Sequence, residues 1–91
     1  MAQDERSVLE EALSRWQVDA ATARERMYRA STPRERERWH AVWLALQGWP
    51  RARVAQALGR DPHTVGSWLA AVRREGPAAL AFAHTGGSPP P

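Results

Sequence analysis

The chain is predicted to be all-α, with a long N-terminal helix followed by a compact unit of three shorter helices. Three observations predict this. Apolar residues recur at spacings of three and four along successive segments, the period of a helix with one buried face. Thr32-Pro33 and Asp61-Pro62 read as helix starts, each a capping side chain followed by Pro at the first helical position. Gly48, Gly59 and Gly76 stand where those segments stop.

Size and composition bound the function. At 91 residues the chain has room for one domain, and a domain of this size buries only about 60% of its unfolded surface, so large side chains are at a premium. Five tryptophans, Trp16, Trp39, Trp43, Trp49 and Trp68, can supply a core with Leu, Val and Ala. All 13 basic residues are Arg, set against 10 Asp and Glu, for a net charge of +3. Arg suits bidentate phosphate and guanine contacts, so this balance permits a polyanion partner. The absence of Cys excludes a disulfide framework and a thiolate metal site and fits a reducing compartment. No apolar run approaches the roughly 18 residues of a membrane span, and the N-terminus opens with Asp4 and Glu5 rather than as a signal peptide. A cytoplasmic protein without membrane contact is expected.

The elements follow in order. Residues 4–30 contain no Gly or Pro, and Leu9, Leu13, Trp16, Ala20, Ala23 and Met27 form one stripe, which predicts a single long amphipathic helix. The stripe is also a coiled-coil seam, so it packs either on its own chain or on a second copy in a homodimer. Thr32 then caps a helix that starts at Pro33, with Glu35 as its capping-box partner. Trp39, Val42, Trp43 and Leu46 line its inner face before Gly48 and the turn Trp49-Pro50. A short helix over about 50–58 carries Val54, Ala55 and Leu58 and stops at Gly59. From Asp61 the last helix of the unit runs to about residue 75 with Val65, Trp68, Leu69 and Val72 inward, and Gly76-Pro77 ends it. Trp39, Trp43 and Trp68 are expected to share one core. Three regions result: an amphipathic helix over 1–31, a trihelical helix-turn-helix domain over 32–76, and over 77–91 a short edge segment, with Leu80 and Phe82 as cover, and a disordered Pro/Gly-rich tail.

Ala55, Gly59, Val65 and Trp68 carry the functional signal. Two helices crossing steeply through a short turn need a small residue at the crossing and a residue that tolerates positive φ at the corner, which Ala55 and Gly59 provide. Val65 and Trp68 then anchor the second helix, leaving its other face for a DNA groove. A plain helical hairpin with Gly in its corner is the bland alternative.

At these residues the sequence resembles the N-terminal DNA-binding domain of IS630-type transposases, a homeodomain-like helix-turn-helix. The likeness runs through residues 34–49, then Val54, Ala55, Leu58, Gly59 and Arg60, then Thr64, Val65, Trp68 and Leu69, then Gly76 and Leu80, and covers roughly residues 24–90. It implies recognition of the element's ends in double-stranded DNA. The metal-dependent catalytic domain that follows in full-length members is not among these residues. The expectation is therefore no enzyme, but a stand-alone or separately encoded DNA-recognition module for recombination, or a repurposed transcriptional regulator.

If the last helix of the unit lies in the major groove, Pro62, His63, Gly66, Ser67 and Ala70 face the bases, and only His63 and Ser67 can hydrogen-bond. Arg51, Arg53, Arg60, Thr64, Arg73 and Arg74 are then the expected phosphate contacts, giving affinity with modest sequence preference. Gly66 reads as a cost to its helix of about 1 kcal/mol relative to Ala. His40, His63 and His84 lie far apart with no Cys, so no metal site, cofactor or small-molecule substrate is expected, and without Lys there is no phosphate-loop motif. The rival reading is a protein-protein interaction or dimerisation module whose recognition helix has degenerated.

Overall fold

The computed structural model describes residues 5–81. The expectations for Phe82 and for the Pro/Gly-rich tail lie outside these residues. The described chain is all-helical: α1 (Glu5–Ser14), α2 (Ala20–Arg29), α3 (Pro33–Leu46), α4 (Arg51–Leu58), α5 (Pro62–Glu75) and α6 (Ala78–Ala81).

The single long helix expected over 4–30 is instead two helices. Gln17 sits at φ 58°, in the left-handed region. There the Gln17 N–H donates to the Ser14 carbonyl at 2.9 Å and the Val18 N–H to the Leu13 carbonyl at 3.2 Å, the paired bonds that close a helix C-terminus. Val18 and Leu13 are both buried, so the apolar contact that accompanies this ending is present too. Asp19 then caps α2, its Oδ1 accepting from the Thr22 N–H at 2.8 Å. That bond holds the Asp19 carboxyl below its ordinary range.

Gln rather than Gly at the left-handed position hid the break, and so did the stripe, which keeps its period across it. A straight helix over 4–30 would run about 40 Å, and only part of it could touch a three-helix unit. Breaking at Gln17 lets α1 lie on α3 and α5 while α2 lies along α3. An L-residue in the left-handed region costs about 1 to 2 kcal/mol, and Gly returns part of that as lost chain entropy, about 0.5 to 1 kcal/mol. Gln17→Gly should therefore raise stability by about 0.5 to 1 kcal/mol, read as a higher urea midpoint at unchanged slope; a lower midpoint would contradict the left-handed assignment.

The starts and stops of the trihelical unit are where the sequence places them. Thr32 Oγ1 accepts from the Glu35 N–H at 3.1 Å, and Asp61 Oδ1 accepts from the His63 N–H at 2.7 Å. Gly48, at φ 100°, closes α3 with bonds from its own N–H to Ala45 and from the Trp49 N–H to Leu44, at 3.0 and 3.1 Å.

The core has two parts, and α3 separates them. Leu9, Leu13, Val18, Ala23 and Met27 join Trp39, Val42, Ala45, Leu46, Val72 and Leu80 in the first. Ala41, Leu44, Val54, Ala55 and Val65 form the second, with Trp49, Leu58 and Trp68 against it. Trp39 and Trp68 thus fall in different clusters, not in the one core expected, and the half-buried Trp43 and Leu69 touch both. The reason is that α3 buries residues all round: Ala41, Val42, Leu44, Ala45 and Leu46 are all shielded, as in a helix packed on opposite faces. The N-terminal stripe is spent on its own chain, since Leu9, Leu13, Ala23 and Met27 are buried there. A homodimer through that stripe has no support in this packing.

Candidate nucleic-acid interface

The corner between α4 and α5 is set by Gly59 at φ 70° and ψ 34°. Its N–H donates to the Gln56 carbonyl at 3.3 Å and the Arg60 N–H to the Ala55 carbonyl at 2.9 Å, which ends α4 and turns the chain into the Asp61 cap within three residues. Ala55 and Val65 are buried at the crossing and Trp68 packs over it. The guanidinium carbon of Arg38, on α3, lies 5.7 Å from the Trp68 ring centroid. Partial burial pushes the Arg38 guanidinium down from its usual value, and the charge of Arg34 adds to the effect.

This corner separates a buried from an exposed side of α5. His63, Ser67 and Arg74 are exposed and fall at i, i+4 and i+11, one stripe of a helix. A helix held by its neighbours in this way, with a short preceding helix across its start, is a helix-turn-helix. A family model of a homeodomain-like domain matches residues 32–81, more than half of the chain. The chain belongs to the homeodomain-like family. No curated protein matches it, and no solved structure does.

Within the homeodomain-like unit, the expected site residues fall into separate groups. Arg51 and Arg53 both project from the first turn of α4 and are exposed. The guanidinium carbon of Arg53 stands 4.8 Å from the Trp49 ring centroid, a cation-π contact that holds it at the start of α4. Arg51 lies over α5 at Gly66: a Cβ placed there would come 2.9 Å from its Nη1 and 3.3 Å from its Cζ. Arg73, Ala70, Leu69 and Leu9 surround the same spot. Gly66 is thus the seat of a side chain from another helix, and Gly66 and Ala70 are half-buried instead of standing on the reading face. Thr64 is half-buried as well. Arg74 is exposed, with its Nη2 3.4 Å from Glu75 Oε2.

Arg60 departs most from expectation. Its Nε and Nη2 donate to the two carboxylate oxygens of Glu37 at 2.5 and 2.8 Å, a bidentate pair between the corner and α3. This pairing raises the Arg60 guanidinium above its usual value. Arg60 ties the corner to α3, and a sequence separation of 23 residues gave no local signal of the partner. Among the described residues, no group of His, Cys, Asp and Glu is placed to hold a metal ion, and no helix is long and apolar enough to cross a membrane.

Proposed function

We propose that the protein binds double-stranded DNA as a recognition module without chemistry of its own, serving a transposition system or regulating transcription. The observation that carries this reading is the exposed stripe His63, Ser67 and Arg74 on α5, held out by the Gly59 corner and flanked by Arg51, Arg53 and Arg73. A helix so presented suits the major groove, and the flanking arginines suit the phosphates on either side. With only His63 and Ser67 able to hydrogen-bond bases through uncharged groups, affinity is dominated by charge and discrimination is modest.

A titration of labelled duplex at several salt concentrations tests this. Arg53→Gln and Arg74→Gln should each weaken binding about equally on all sequences and lower the salt slope by about 0.9. Arg60→Gln should change the slope little, because that side chain is occupied by Glu37. His63→Ala or Ser67→Ala should shift preference among sequences by about 1 to 3 kcal/mol at a contacted base. Absence of duplex binding at low salt by the folded protein would reject the reading and favour a protein-protein interaction module.

A further inference from the structure

Two consecutive residues of α3 reach the corner and α5 at two separate points. Glu37 accepts both guanidinium bonds of Arg60, at 2.5 and 2.8 Å, and the Arg38 guanidinium carbon stands 5.7 Å from the Trp68 ring centroid. His63 and Ser67 lie between these points along the chain. Val65 and Trp68 seat this part of α5 by apolar packing, which has no preferred direction. A planar guanidinium on a planar carboxylate does, because its two parallel bonds fix angle as well as distance. The pair also stands beside the turn, since Arg60 follows Gly59 and precedes the Asp61 cap of α5. The Glu37 side chain is only 21% exposed, so the pair is screened less than a bridge between two open side chains.

We propose that Glu37 is a positioning residue for base reading: through Arg60 it sets the orientation of α5, and with it the approach of His63 and Ser67 to the base edges. The inference rests on the DNA-binding reading above. Hydrogen bonds to bases demand side chains held to within about 0.5 Å, whereas phosphate contacts from long arginines carry no sequence information and tolerate displacement. Loss of the pair therefore costs discrimination more than charge-driven affinity.

The full chain is used to select a preferred duplex from a random pool, and its affinity for that duplex is compared with its affinity for one of shuffled sequence. Glu37→Gln and Arg60→Gln should each lower this ratio about fivefold, the smaller end of what one good base contact supplies, although they change the net charge in opposite senses. The double variant should lose about as much as either single one, where independent contributions would multiply to about 25-fold. An unfolded fraction weakens binding to both duplexes alike and cancels in the ratio, so a pair that only stabilises the fold leaves the ratio unchanged, and that result overturns the inference. So do multiplied losses, and so does a ratio lowered by Arg60→Gln but kept by Glu37→Gln, which makes Arg60 itself a DNA contact. Failure of the unsubstituted chain to bind duplex at low salt overturns the DNA reading itself; binding without any selected sequence overturns the positioning role alone.

Discussion

A chain lacking residues 1–31 should lose cooperative folding, although the homeodomain-like unit begins after the deletion. Leu9, Leu13, Val18 and Met27 are buried to 7% exposure or less, in the same cluster as Trp39, Val42, Leu46, Val72 and Leu80. Each such side chain contributes about 1.5 to 3 kcal/mol by leaving water, so together they amount to about 6 to 12 kcal/mol. Small domains are stable by only about 5 to 15 kcal/mol in all. Removing α1 and α2 would also bare one side of α3, including Trp39, which is 1% exposed in the intact chain. Urea titrations followed by circular dichroism, run side by side on the 32–91 fragment and the full chain, measure this. The fragment should show a broad, weak transition or none; a sharp transition at a similar midpoint would mean that the second cluster suffices to fold the unit.

Gly76→Ala should be the most damaging Gly→Ala change among the described residues. Gly76 closes α5 at φ 86° and ψ −172°, a region open essentially to Gly, where another residue costs about 1 to 3 kcal/mol. The space is taken as well: a Cβ there would lie 2.5 Å from Trp16 Cε2 and 2.8 Å from Nε1. The indole must swing away and give up its packing on the first cluster, which adds about 1 to 3 kcal/mol, as overpacking does. A total of about 2 to 6 kcal/mol corresponds to a fall in melting temperature of about 10 to 45 °C for a domain of this size. Calorimetry checks it, and the Trp16→Ala background separates the two causes. There the methyl group meets no ring, so the added loss should shrink to the backbone part; an undiminished loss would show that Trp16 does not press on Gly76.

The helix boundaries of residues 32–76 were legible because their signals are local. Thr32 and Asp61 each cap a backbone N–H two or three residues away, and Gly48 and Gly59 take the positive φ that their positions demand. Gly59, with Ala55, Val65 and Trp68, also carries the helix-turn-helix signal, and the homeodomain-like match supports that reading. The break at Gln17 was not legible, since an L-residue accepts the left-handed conformation only when distant contacts, here Leu13 and Val18 closing on the core, outweigh its strain.

For the candidate site the same division holds. Sequence alone determined that His63 and Ser67 stand on the exposed side of α5, while Gly66 and Ala70, expected beside them, are half-buried. Tertiary structure decided what each arginine does: Arg60 is bound to Glu37 on α3, Arg53 stands over Trp49, and Arg51 reaches across to α5 at Gly66. It also decided that Gly66, which looked like a weakness in its helix, is the space another helix's side chain fills. Caps and periodicity act over one or two turns and can be read along the chain. The orientation of a long, flexible arginine is set by whichever neighbour packing brings within reach, and that neighbour is chosen by the fold as a whole.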